Sequence, residues 1–566
     1  MGFGGHIGFV PTGTNLCVPQ KTSMSPGQYY WGTRSLIPFG IRAACPLITE
    51  RRPWVMRVSP SFGKHLPWLL FLLTAGLATR VPHALVAGSY DNRVTYFPTI
   101  ASTRFVECAR EMTRGGVSSD AFSFASPLYI PFLAAFYSLS LGNGAVFLVQ
   151  GATGVFSGFL VYVVAFRAGA SRLFACLGAL CFYFYAPAAF FELTLLPAGI
   201  LAFLIGLWAL LEQGAGGRWH SLFKGFLVGV IAGLRPPFIL IGFVSLFRGV
   251  RKGGTVPFLA GLAVPLLFLS FWHSGQGGGF SPFASATGLN LVLGHADGAT
   301  GYGPPIVEHG LVETPGEDIH QAAARVAAVH GYDDPVAADR FWLKTAVSWM
   351  LANPGRELEL LLVKLGGAFG HVPFDVYFDL QRDVASDPSL GHLFVPRFLL
   401  VAFLALGAGS LLFHRGACRF LLAPVAVSLL SSVVFVHSER FWIPALPAAL
   451  AVSAAGLTLF LRGFRHRWKT AVSVTILVLL LLPGILRPTP ETPLGLYLYN
   501  RAVKVFHMGN MPLSLLLFEE AAEVSPRGTH TSVYARIMAV QIARSLSMED
   551  RADAHALILR QETAPR

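Results

Sequence analysis

The side chains best placed to do chemistry in this chain are acids and arginines that stand beside apolar runs. Asp91 and Arg93 open a polar stretch that continues through Glu107 to the apolar hook Pro127-Leu128-Tyr129-Ile130-Pro131-Phe132. Glu192 lies between two apolar runs in FFELTLLP, with no basic neighbour in sequence. Arg235 interrupts another pair as Arg235-Pro236-Pro237, and Glu439 and Arg440 fall together in HSERFWIPALP. Charge beside hydrocarbon is costly unless it faces water or a partner and has a task. Guanidinium groups grip phosphate oxygens in pairs, and a carboxylate can take a hydroxyl proton. Convergence of these groups would suit a substrate with a phosphate or pyrophosphate and a hydroxyl to be activated. Each also has a bland reading, since interfacial Arg snorkels to headgroups and loop Asp often caps a turn.

The elements that must position them are apolar. Of 566 residues, 53% are hydrophobic and only 13% charged, a balance expected of an integral membrane protein with an all-α fold. The formal charge of +13 comes in short basic clusters between apolar runs, as in cytoplasmic loops, so nucleic-acid binding is not expected. Six cysteines form no C-x-x-C pair or His/Cys array, which signals neither zinc nor a disulfide framework. Residues 1–56 are rich in Gly, Pro and Ser and read as disordered, or as an extension ahead of a start at Met56.

About eleven spans are expected between residues 57 and 486, with the stretch around Arg235-Pro236-Pro237 counted as a broken pair. Arg167 and Arg172, Arg248 and Arg251, and Arg462 to Lys469 fall in alternate connections. They put the N-terminus inside and the C-terminus outside. Two long outer loops result, 88–142 and 273–393. The second carries amphipathic helices near Gly316–His330 and Val336–Phe369, broken at Asn353-Pro354. The tail, 487–566, reads as helix, turn and helix about Gly509-Asn510. Ala502, Phe518, Ala521 and Pro526 fall at tetratricopeptide-like positions, and a degenerate helical partner is expected near Ser532–Arg560. Such a tail could dock a protein partner or simply cap the chain.

Within NLVLGHADGATG, Asn290 and His295 are candidate pocket residues, because the glycines permit close backbone approach. Asp297 could bind a divalent metal but has no carboxylate partner at a suitable spacing, so no cofactor is assigned. Tyr129 fits a pocket or an aromatic belt equally well.

Five stretches, in order, carry a resemblance: CAREMTRGG with SPLYIPFLAAFY, YAPAAFFELTLL, GVIAGLRPPFIL, NLVLGHADGATG and SERFWIPALP. They resemble the bacterial polytopic GT-C glycosyltransferases related to protein O-mannosyltransferases and lipid A aminoarabinose transferases. The resemblance implies an inner-membrane enzyme taking a polyprenyl-phosphate-linked sugar at the periplasmic face. It would transfer that sugar to a lipid, glycan or protein hydroxyl. It also implies an acid early in the first outer loop. That position falls at Ala101-Ser102 here, which leaves Asp91 or Glu107 as the base, or a weakened catalyst. Glu192 would orient acceptor or base. Arg440, with Arg235 and Arg93, would hold the donor phosphate, and Glu439 would line the pocket. Two other classes compete: a transporter of lipid-linked sugars, and a non-catalytic scaffold recruiting partners through the tail.

Overall fold

A proline in the wrong place for a helix sets much of the architecture. Pro187 has no N–H to offer the carbonyl of Tyr183, so the helix Arg172–Tyr183 ends and a second, Ala186–Glu192, starts at 58° to it. The apolar run Leu173–Phe191, long enough for one span, is thus two helices with a bend. The freed Tyr183 carbonyl accepts a hydrogen bond from Arg80 Nη1 at 2.5 Å.

The computed structural model describes residues 62–87, 100–116, 126–214, 216–250, 254–275, 280–283, 286–301, 319–375, 378–413, 418–462, 494–527 and 530–563, with a few positions between 472 and 482. All of them lie in the unit Trp54–Arg566. The extension 1–53 and the candidate residues Asp91 and Arg93 lie outside the described residues, as does most of the expected last span.

Among the described residues the fold is all-helical. In chain order the α-helices are α1 (Leu66–Ala87), α2 (Ile100–Thr113), α3 (Tyr129–Ser138), α4 (Asn143–Arg167), α5 (Arg172–Tyr183), α6 (Ala186–Glu192), α7 (Ala198–Glu212), α8 (Arg218–Leu234), α9 (Ile241–Val250), α10 (Thr255–Gly275) and α11 (Thr287–Gly294). There follow α12 (Ile319–Val329), α13 (Pro335–Ala352), α14 (Pro354–Phe369), α15 (Leu380–Ser386), α16 (Arg397–Phe413), α17 (Leu422–Val434), α18 (Leu446–Arg462), α19 (Leu494–His507), α20 (Met511–Val524), α21 (His530–Ser545) and α22 (Glu549–Thr563).

Four stretches are long and apolar enough to cross a membrane: Leu66–Leu85, Asn143–Arg167, Thr255–Gly275 and Glu439–Arg462. The bent pair α5–α6 makes a fifth if it counts as one span. Tyr129–Ser138, Ala198–Glu212, Pro236–Gly249, Arg397–Gly409 and Arg419–Val434 are apolar but shorter. Length and composition therefore carry four or five spans among the described residues, not eleven. Several of the apolar runs form helices of only 10–17 residues, with Pro127, Pro197, Pro236 and Pro396 at or just before their starts, and most of the expected last span lies outside the described residues.

Glycines let these helices approach closely. A Cβ on Gly154 of α4 would lie 2.1 Å from Glu192 Oε2, and one on Gly158 would lie 2.2 Å from the Tyr183 ring. Spaced four residues apart, the two make a slot on α4 that receives the α5–α6 bend. Gly407 of α16 and Gly456 of α18 meet in the same manner. Arg235 ends α8 in extended conformation, as the residue before a proline must, and Pro236–Leu240 forms a 3-10 turn into α9.

Asn353-Pro354 separates α13 from α14, where the sequence places the break. The tail forms the helical hairpins α19–α20 and α21–α22. Ala502, Phe518 and Ala521 are fully buried in its own core, Gly509 turns with φ +79°, and Asn510 caps α20.

Candidate functional site

Three polar clusters gather around α6 and the turn that begins at Ser438. In the first, Arg80 of α1 grips Glu192 with two parallel hydrogen bonds, Nε to Oε2 at 2.7 Å and Nη2 to Oε1 at 2.9 Å. Both side chains are buried, and Gly154 supplies the room. Gln150 Nε2 donates to the carbonyls of Glu192 and Thr194 at 2.8 Å each, and Tyr129 Oη donates to Gln150 Oε1 at 2.7 Å. Glu192 and Tyr129 thus belong to one network, but Arg80 occupies both carboxylate oxygens. The same end of α1 is tied further by His83, which bonds Ser389 at 2.8 Å and lies 3.4 Å from Asp387.

The second cluster joins the start of α16 to the end of α14. Arg397 Nη1 and Nη2 donate to the carbonyls of Gly367, Gly370 and Ala368 at 2.8–3.0 Å, satisfying groups that a helix C-terminus leaves open. Its Nε lies 2.8 Å from Glu439 Oε2, and Tyr185 Oη donates to Glu439 Oε1 at 2.6 Å. Tyr185 begins α6 and Glu192 ends it, so one short helix, about 10 Å long at 1.5 Å per residue, spans the first two clusters.

The third cluster contains the arginines expected to hold phosphate. The guanidinium carbon of Arg235 lies 3.8 Å from the Phe441 ring centroid, and that of Arg440 lies 5.4 Å from it. Asp375 is buried, accepts a hydrogen bond from Ser438 Oγ, and has Oδ2 3.9 Å from Arg440 Nε. The Arg235 guanidinium makes no hydrogen bond or ion pair with a described residue, while its backbone N–H donates to the Ile231 carbonyl at 2.8 Å. The turn Glu439–Phe441 is 3-10, in which residues three apart eclipse. Glu439 and Trp442 therefore share one face, and Arg440 with Phe441 turns toward Arg235.

His295 stands apart, in a separate buried chain. Its Nδ1 meets Glu357 Oε2 at 2.8 Å, and its Nε2 lies 2.8 Å from Lys364 Nζ and 2.5 Å from the Val434 carbonyl. Lys364 is completely buried, and burial pushes its ammonium pKa down to about 7 against the pull of Glu357. Burial, then Lys364, lowers the His295 pKa as well. The close backbone approach expected here is real: a Cβ on Gly294 would lie 2.2 Å from the Phe435 carbonyl.

Other candidates are spent locally. Glu107 is exposed on α2, 3.6 Å from Arg104. Asn290 donates to the Ala286 carbonyl of its own helix at 2.6 Å, and Asp297 accepts from Trp349 Nε1 at 2.7 Å. Among the described residues no group of three metal-ligating side chains occurs.

Sequence reasoning passed over Arg80, Arg397 and Asp375. Arg80 had a signal, because an arginine inside an apolar helix demands a partner. Asp375 in HVPFDVYFD had little signal, since only the fold brings it to Ser438. At the far end of α7, about 20 Å from Glu192 by helix rise, Glu212 is closed by Lys224 at 3.0 Å, Arg248 at 3.0 Å and Ser245 at 2.6 Å.

No protein-family model matches the chain, and no curated protein or solved structure is similar to it.

Proposed function

We propose that the chain is a GT-C-type inverting glycosyltransferase of a bacterial inner membrane, with a periplasmic tail. Its donor is a sugar on a polyprenyl phosphate. The observation that carries this reading is the juxtaposition of Arg235 and Arg440 on Phe441, with one buried carboxylate, Asp375, 3.9 Å from Arg440. Two guanidiniums gathered on one ring repel each other, and a phosphate, which fits their forked donors, would relieve that repulsion. The aromatic ring fixes both planes by cation–π contact.

In the reaction the acceptor hydroxyl attacks C1 of the sugar, and the C1–O bond to phosphate breaks. The hydroxyl proton passes to a carboxylate, and polyprenyl phosphate leaves against the two arginines. Asp91, upstream of α2, is the base of choice over Glu192, which is fully engaged by Arg80, and the exposed Glu107 beside Arg104 is the alternative. Glu192 then serves as a strut that fixes α6 and, through Tyr185, Glu439. The test is sugar transfer by purified protein from radiolabelled polyprenyl-phosphate sugars to membrane acceptors, with Arg235→Ala and Arg440→Ala as controls. Retention of full transfer in both variants overturns the reading.

A transporter of the same lipid draws support from the buried pairs Arg80–Glu192 and Arg397–Glu439 among apolar helices. The scaffold reading draws support only from the four-helix tail. Lipid movement in proteoliposomes without sugar transfer would favour the transporter.

A further inference from the structure

At the opposite end of α8 from Arg235, about 25 Å away by helix rise, several helix ends gather charge that the reaction just described does not use. Gln213, just past α7, donates to the Val164 carbonyl of α4 at 2.9 Å. The Ser171 N–H, just before α5, donates to Thr458 Oγ1 of α18 at 3.0 Å. Cys418 Sγ, ahead of α17, lies 3.8 Å from the Ala168 carbonyl. Lys224 of α8 and Arg248 of α9 both reach Glu212 at the end of α7. These ends therefore form one surface.

That surface is strongly basic. Between Asn143 and Val250 the chain has six Arg and Lys residues but only two acids. Arg235 and Glu192 belong to the other end. Here Arg167, Arg172, Arg218, Lys224 and Arg248 meet the single acid that this stretch supplies, Glu212, and Arg419 adds another cation. Glu212 is buried, with Lys224 at 3.0 Å, Arg248 at 3.0 Å and Ser245 at 2.6 Å. One carboxylate between two cations leaves a surplus positive charge. The Arg248 side chain remains 37% exposed after these contacts.

Arg248 is also fixed in direction. Its guanidinium carbon lies 4.6 Å from the Phe420 ring centroid, and the residue preceding Phe420 in its 3-10 turn is the exposed Arg419. Apolar side chains flank the charge: Phe247, next to Arg248, is 72% exposed, and Trp219, next to Arg218, is 82% exposed. Aromatic side chains of this kind settle where hydrocarbon meets headgroups. A basic rim on an apolar bundle complements a molecule with an anionic head and a hydrocarbon body. Free phosphate has the charge but nothing to lie against Phe247.

We infer that this end of the molecule binds an anionic phospholipid, with the headgroup phosphate at Arg248 and Arg419 and an acyl chain against Phe247. The inference rests on the apolar helices lying in a membrane and not on sugar transfer, so the two readings fail separately.

The experiment uses the full chain in nanodiscs of phosphatidylcholine and phosphatidylglycerol in equal parts. A diazirine-tailed phosphatidylglycerol, or phosphatidylcholine with the same tail, is added, and light-induced adducts are mapped by peptide mass spectrometry. Phosphatidylglycerol should label α9 and the start of α17 in preference to phosphatidylcholine. That preference should fall about 5-fold in Arg419→Gln, the weight of one interfacial cation, and further when Arg248→Gln is added. Arg419→Gln spares every contact of Glu212, so its thermal unfolding should match the native chain. Arg110→Gln should leave the labelling unchanged, because Arg110 lies 5.8 Å from the ring of Tyr137, which bonds Asn143 at the other end of α4. Equal labelling by the two lipids, or adducts confined to other helices, overturns the inference. So does an equal fall in Arg110→Gln, or loss of the adducts to inorganic phosphate at matched ionic strength.

Discussion

Arg235 and Arg440, brought from opposite halves of the chain, share one aromatic ring: their guanidinium carbons lie 3.8 Å and 5.4 Å from the centroid of Phe441. Each depends on the other's segment for its setting. Arg235 is presented by the Pro-Pro break after α8, and Arg440 by the 3-10 turn before α18.

Removing either arginine should therefore weaken donor binding and slow transfer together. Charge-assisted hydrogen bonds of about 1.5–3 kcal/mol each imply a loss of about 10- to 100-fold in kcat/KM for Arg440→Ala or Arg235→Ala. Arg440→Lys should recover only part of this, since an ammonium cannot make the paired contacts. Steady-state transfer kinetics check both.

The Arg80–Glu192 pair should behave as a buried ion pair. Glu192→Gln leaves Arg80 buried without its counter-charge, at a cost of about 3–5 kcal/mol. The double change Arg80→Met with Glu192→Gln should be much less damaging than the sum of the single changes. Gly154→Ala, whose Cβ would meet Glu192 Oε2, should resemble the single mutant. Thermal unfolding in detergent, compared across the four variants, reads this coupling.

Lys364 gives a pH dependence of known sign. Its folded pKa, about 7, lies below the ordinary 10.5. Between those values the unfolded chain holds a proton that the folded chain lacks, so stability rises with pH across that window. Below about 7 both states are protonated and the slope disappears. The steepest slope for one proton is about 1.4 kcal/mol per pH unit. Denaturation between pH 7 and 9 should show this rise in the native chain, and Lys364→Met should flatten it.

The tail should be held to the segment around α15 by a small polar contact. Lys504 lies 5.2 Å from the Phe378 ring centroid, and Arg382 lies 5.4 Å from that of Tyr497. The nearby Asp383, buried and near other acids as well as Lys504, has its pKa raised to about 6. Asp383→Asn removes the charge that favours the buried ammonium of Lys504, so α19 should exchange its amide hydrogens faster while α4 and α18 do not change. Hydrogen exchange followed by mass spectrometry tests this.

Much of the helical frame is legible in the sequence, because prolines and apolar runs act locally. Asn353-Pro354 and Arg235-Pro236-Pro237 break helices where their chemistry says they must. The bend after Tyr183 was legible too, in Pro187, but an unbroken apolar run hid it. The partners were not legible. Nothing near Glu192 in sequence points to Arg80, and nothing near Arg440 points to Asp375, because pairing across α1, α4 and α6 depends on glycine slots whose facing side chains only the fold supplies. Acids and arginines picked for exposure at span ends were therefore found partly in closed ion pairs. Among the described residues Arg235 and Arg440 come together on Phe441, with Asp375 beside Arg440.

The most direct measurement is the titration of purified protein with a polyprenyl-phosphate sugar, followed by transfer of the radiolabelled sugar. The account expects saturable binding and transfer in the native chain, with both lost together in the double variant Arg235→Ala, Arg440→Ala. Unchanged binding in that double variant would contradict it, as would native protein that binds no lipid phosphate.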